Sequence, residues 1–233
     1  MTTTTLEATN SPAPVLAPTA DPHVAVKYAT EAIGTLFLVF TIGAAVRSGN
    51  PLAPLGIGAV LMAMVYAGGH VSGAHYNPAV TLTVLVRGRI GLRDALGYWA
   101  AQLVGALAGA AAAATVVPAG QTAAVALSGR PMAAAVLAEF LFTFALCYVV
   151  LNVATSKDHP KNAFYGLAIG FTVVAGAVAV GRISGGALNP AVVVGGIAMG
   201  TISASMLVAY VAAQLVAAVA AAIAFRAINP TDK

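Results

Sequence analysis

Charge is the scarcest feature of this chain. Asp, Glu, Lys and Arg make up 8% of it, against about a quarter of an ordinary soluble domain. So little charge does not keep a folded monomer in water, and with 60% hydrophobic residues and a mean hydropathy of +0.91 the chain reads as a membrane protein. Cysteine occurs once, as Cys147 inside an apolar run, which excludes an internal disulfide and a thiolate metal site and leaves a small buried or lipid-facing residue. The formal net charge is +4, but the basic residues form no run and no face, so nucleic acid is not expected as a partner and the excess reads as a topology signal. No nucleophile is paired with a base and no metal ligands cluster, so the chain is not read as an enzyme and calls for no cofactor.

What the chain does have is a repeat. A small, polar stretch, Gly69-His70-Val71-Ser72-Gly73-Ala74-His75-Tyr76-Asn77-Pro78-Ala79-Val80, interrupts apolar sequence and returns 112 residues later as Gly181-Arg182-Ile183-Ser184-Gly185-Gly186-Ala187-Leu188-Asn189-Pro190-Ala191-Val192. Gln102, in Ala100-Ala101-Gln102-Leu103-Val104, returns at the same distance as Gln214, and Glu31 answers Glu139. Apolar runs predict spans at 28–46, 52–67 and 95–117, then at 132–154, 163–180 and 202–225. The apolar segments after each motif, 80–86 and onward from Val192 to Met199, are too short to cross and read as re-entrant half-helices.

Three spans per half is an odd number, so the halves enter the membrane from opposite sides as an inverted repeat. The expected organisation is a disordered tail at 1–24, with no signal peptide visible, then one all-α domain at 25–228, its repeats at about 25–117 and about 131–226. With the N-terminus inside, Lys27, Arg87, Arg89, Arg93, Lys157, Lys161, Arg226 and Lys233 are cytoplasmic and Arg47, Arg130 and Arg182 external, the arrangement that the positive-inside rule favours.

The repeated motif has a physical reading. Non-helical backbone at membrane depth is tolerated where it is buried in protein or lines water. Gly73, Gly185 and Gly186 allow the tight backbone, Asn suits a helix N-cap and Pro the first helical turn. Asn77-Pro78 and Asn189-Pro190 are therefore half-helix starts. Where two starts meet, two positive dipole ends converge on the Asn amides, a barrier to cations but not to neutral oxygens. A single Asn-Pro would be a capped turn; two copies in register are a pore signal. Glu31 and Glu139, the acids well inside spans, are functional candidates by position, and Gln102 and Gln214 are candidate interhelical hydrogen-bond partners.

The paired Asn77-Pro78-Ala79 and Asn189-Pro190-Ala191 motifs, each with Ser-Gly upstream, resemble those of the aquaporin and glycerol-facilitator family, also called major intrinsic proteins, over roughly 27–226. The resemblance implies six transmembrane helices plus two half-helices. It also implies a passive channel for water and small neutral solutes such as glycerol, urea, ammonia or hydrogen peroxide, closed to ions and protons. The channel would be a homotetramer in the bilayer of the cell's plasma (inner) membrane. By the same resemblance Glu31 and Glu139 brace the loops, His75 faces the cytoplasmic pore, and Ile57, Ala177, Gly186 and Val192 form the outer constriction. Most members carry Arg where this chain has Val192, so its constriction is expected to be apolar and wide, unless Arg182 swings in from the same loop. The rival reading is an inverted-repeat secondary transporter using Glu31 or Glu139 as a proton site.

Overall fold

The structure, a computed structural model, describes residues 24–118 and 123–232. The tail expected at 1–24 lies outside the described residues except for Val24, which opens the first helix. Six helices among the described residues are long and apolar enough to cross a membrane. In order, α1 (Val24–Arg47), α2 (Ala53–Ser72), the short α3 (Pro78–Arg87) and α4 (Leu92–Val116) make the first half. Then α5 (Gly129–Val150, continued by a π-turn, Leu151–Thr155), α6 (Tyr165–Ser184), the short α7 (Pro190–Ala198) and α8 (Leu207–Ile228) make the second.

Two helix ends depart from expectation. Spans expected to stop at 67 and 180 run on to Ser72 and Ser184, where Gly73 and Gly185 cap them in the left-handed conformation with φ 86° and 87°. Polar His70 and Arg182 look like loop residues, yet the helix tolerates them because each is exposed while its neighbours Ser72 and Ser184 are buried. Arg182 is therefore in the last turn of α6, not in the loop.

Small residues set the packing. Lipid gives helices no hydrophobic reason to associate, so close contact must come from surfaces without bulk. A Cβ at Gly105 or Gly109 of α4 would strike the carbonyl of Ala32 or of Leu36 on α1. At the positions 112 residues on, Ala217 and Ala221 are fully buried in α8, which packs on α5. Gly58 of α2 and Gly170 of α6 face each other on the internal two-fold: a Cβ on either would lie 2.6 Å from the other's carbonyl oxygen. The two halves thus close around an axis on which the two motif loops meet.

Candidate functional site

Each motif loop is bent further than glycine alone explains. Besides Gly73 and Gly185, Ala74, Tyr76 and Leu188 hold φ of 51°, 50° and 50°, a conformation that L side chains resist. Such a loop persists only where its surroundings over-determine it. Glu31 supplies that constraint. Its Oε1 accepts from the Ser72 hydroxyl at 2.7 Å and the His75 N–H at 2.9 Å, and its Oε2 from the Tyr76 N–H at 2.7 Å and Gln102 Nε2 at 2.8 Å. Glu139 repeats the set with Ser184, Ala187 N–H, Leu188 N–H and Gln214 at 2.7, 2.9, 2.7 and 2.8 Å. The Tyr98 and Tyr210 hydroxyls, again 112 apart, fasten the ends of α2 and α6 by donating to the carbonyls of Ser72 and Ser184.

The two asparagines cap α3 and α7 from extended backbone, with φ −157° and −163°. Each Oδ1 accepts from the N–H two residues on, Ala79 at 2.8 Å and Ala191 at 2.9 Å. Each Nδ2 donates across the axis, Asn77 to the Leu188 carbonyl and Asn189 to the Tyr76 carbonyl, both at 2.9 Å. Pro78 and Pro190, lacking an N–H, fit the first helical position. The half-helix N-termini therefore face each other, and each amide has a second N–H without a protein partner among the described residues.

A vestibule of about 670 Å³, bordered by Lys27, His70, Asp94, Lys157 and His159 among others, leads to a narrow passage of about 30 Å³ at the asparagines. A water needs roughly 10–15 Å³, so the passage has room for only about two or three. Its wall is built of repeat pairs. Leu38 corresponds to Leu146 and Ile42 to Val150; Ile57 corresponds to Ile169, Leu61 to Val173, Val80 to Val192, and Asn77 to Asn189. Of the expected constriction residues, Ile57, Gly186 and Val192 stand on this wall. Ala177 does not border this passage; it lies beside Gly186, whose Cβ position is 3.5 Å from the Ala177 Cα. Arg182 is exposed and off the wall. His75, 9% exposed, belongs to both vestibule and passage. Glu31 and Glu139 are fully buried behind the loops and line neither, which leaves the transporter reading without a proton site on the path.

The sequence reading missed Leu38, Ile42, Leu61, Leu146, Val150, Ile169 and Val173. Their signal was present as four pairs at i, i+4 spacing that recur between the halves. It also missed two clamps. Arg47 donates to the Val117 carbonyl at 2.9 Å and the Met199 carbonyl at 2.8 Å, gathering the ends of α4 and α7. At the opposite face Asp232 meets Arg87, at the end of α3, at 2.6 Å and accepts from the Lys157 N–H at 2.9 Å.

The chain matches the family model described as major intrinsic protein over residues 18–181 and 161–232. It belongs to the major intrinsic protein family. It is 37% identical over 217 residues to a glycerol uptake facilitator protein-like 6 of Lactiplantibacillus plantarum, covering 88% of this chain and 99% of that one. It is also 37% identical over 217 residues to aquaporin NIP1-3 of Oryza sativa subsp. japonica, with 89% and 75% covered. Its fold matches the X-ray structure of the aquaglyceroporin from Plasmodium falciparum with a TM-score of 0.70 at 23% identity, over 89% of this chain and 96% of that one. As a major intrinsic protein it is a channel and not an enzyme.

Proposed function

We propose that the chain conducts water and small neutral solutes passively in single file and excludes ions and protons. The observation that carries this reading is the pair of crossed asparagines, each with one amide N–H left over in a narrow and largely apolar passage. A neutral oxygen accepts from those two N–H groups in exchange for hydrogen bonds to bulk water. A cation loses its hydration and meets two positive helix ends. The relatives named for glycerol uptake and as aquaporins support the same permeants.

Asn77, Pro78, Ala79, Asn189, Pro190 and Ala191 form the central barrier in this reading, and Ile57, Ala177, Gly186 and Val192 the outer constriction. Without a side-chain donor at Val192 that constriction sorts solutes by desolvation more than by size. The vestibule faces the cytoplasm, in keeping with Lys27, Arg89, Lys157 and Lys161 around it, and so do both termini. The channel sits in the plasma membrane as a homotetramer, as the family resemblance implies.

Stopped-flow light scattering on proteoliposomes with water, glycerol, urea, ammonia and hydrogen peroxide tests this. At least one solute should pass besides water, and Val192→Arg should reduce that solute's flux more than water flux. Rapid water flux with all four solutes excluded would overturn the reading of an apolar constriction that sorts by desolvation.

A further inference from the structure

His75 stands where the vestibule narrows into the passage. Its Nδ1 lies 3.1 Å from Thr81 Oγ1. Its Nε2 has no hydrogen-bond partner among the described residues, and the residue borders both the vestibule and the passage. Which of these nitrogens carries the proton decides whether the wall offers a donor or an acceptor at this point.

The hydrogen bonds behind the ring settle that question in sequence. Every partner of the Glu31 carboxyl offers it a proton, so it acts purely as an acceptor. This turns the Gln102 amide so that Nε2, and not Oε1, points toward Glu31. The same nitrogen donates its other proton to Thr81 Oγ1 at 3.0 Å. Thr81 Oγ1 also lies 3.1 Å from the carbonyl oxygen of Asn77, one helical turn back. Two oxygens at that distance repel unless a proton lies between them, and the hydroxyl has one proton to give. With that proton on the Asn77 carbonyl, Thr81 has only a lone pair for the ring, and Nδ1 must be the donor.

We propose that Thr81 locks His75 in the tautomer protonated at Nδ1, so that Nε2 presents a bare acceptor to the pore and favours permeants that carry O–H or N–H donors. Ala187 and Val193 stand at the corresponding places in the second half, so the device exists on one side of the asparagines only. A solute crossing the passage meets an acceptor at His75 and donors at Asn77 and Asn189. Glycerol, urea and water can satisfy both in turn, whereas a solute with acceptors alone satisfies only the asparagines. Thr81 in this account is a positioning residue and His75 the group that touches the permeant. The selectivity half of the proposal rests on the channel reading above; the tautomer half does not.

Solid-state NMR of the full chain in lipid vesicles, labelled with ¹⁵N-histidine, reads the tautomer directly, the His75 signals being those lost in His75→Gln. The expected result is a protonated Nδ1 and a bare Nε2. Thr81→Val removes the partner and should mix the tautomers, while Thr81→Ser, which keeps the hydroxyl, should preserve them. In parallel, flux of glycerol relative to dimethyl sulfoxide, which has acceptors only, should fall several-fold in Thr81→Val and not in Thr81→Ser. A protonated Nε2 in the unmodified chain overturns the proposal, and needs no variant to fold. A tautomer and a flux ratio both unmoved by Thr81→Val overturn the role of Thr81. A chain with the expected tautomer that passes neither solute overturns the channel reading and the selectivity half with it.

Discussion

The side-chain amide of Asn77 donates to the main-chain carbonyl of Leu188, 111 residues away, at 2.9 Å. With the reciprocal bond from Asn189 to Tyr76, it ties each half-helix cap to the other half's loop, so neither loop can shift without disturbing the opposite amide. Replacing Asn189 by Asp exchanges the donor facing the Tyr76 carbonyl for a carboxylate oxygen. Water flux through assembled protein should fall about tenfold, the effect of roughly one lost hydrogen bond at the barrier, and cation leak should rise. Unchanged water permeability and unchanged leak in a correctly folded variant would remove Asn189 from the path.

Glu31 provides a prediction about stability. Glu31→Ala strands two loop N–H groups, the Ser72 hydroxyl and the Gln102 amide in a buried site, at about 1–3 kcal/mol for each unsatisfied group. Glu31→Gln keeps one acceptor oxygen and should be the milder change. Thermal unfolding in detergent should rank them unmodified, Gln, Ala, with flux following stability. A pH-coupled flux lost in Glu31→Gln at normal stability would instead favour a transporter.

The approach of Gly58 to Gly170 leaves no room for a side chain. Gly170→Leu should prevent assembly, because the clash is with backbone, beyond the about 1–3 kcal/mol that ordinary overpacking costs. Gly56, on the same helix as Gly58, has open space at its Cβ position and ordinary backbone, so Gly56→Ala should leave yield and melting unchanged. Size-exclusion profiles of the two variants check the pair.

Asp232 gives the pH prediction. Desolvation alone would raise its pKa, but the Lys157 N–H, the Ser156 hydroxyl and the Arg87 guanidinium outweigh that and hold the carboxyl below the ordinary aspartate value of 3.8. A depressed folded value means that the clamp contributes fully above 3.8 and is lost as pH falls through the lower folded value. The end of α3 should therefore stay clamped through mildly acidic conditions. Asp232→Asn should lower the melting temperature at pH 7, and the difference from the unmodified chain should shrink only below pH 3.8. A difference that vanishes already at pH 5 would contradict it.

The features legible in the sequence were those that a local chemical rule marks. Asn-Pro repeated in register marks half-helix starts and the 112-residue spacing marks the repeat, and the caps of α3 and α7 follow; the glutamates were legible as functional candidates but with two roles open. The ends of α2 and α6 were not legible, because His70 and Arg182 are polar and nothing local shows that a helix carries them outward. The place of Ala177 depended on how closely Gly186 approaches α6, a tertiary distance. The bond from Arg87 to Asp232 spans 145 residues without any periodic pattern to announce it. The lock of Thr81 on His75 needed hydrogen-bond directions that residue types do not carry.

The central claim is that permeants cross a standing single-file passage at the asparagines. The temperature dependence of osmotic water permeability in proteoliposomes tests it most directly. A standing pore replaces bulk hydrogen bonds one by one, so the account predicts water flux well above that of protein-free vesicles, with a much weaker temperature dependence and no saturation. Flux equal to that of empty vesicles, or flux as steep in temperature as the bare bilayer's, would contradict it.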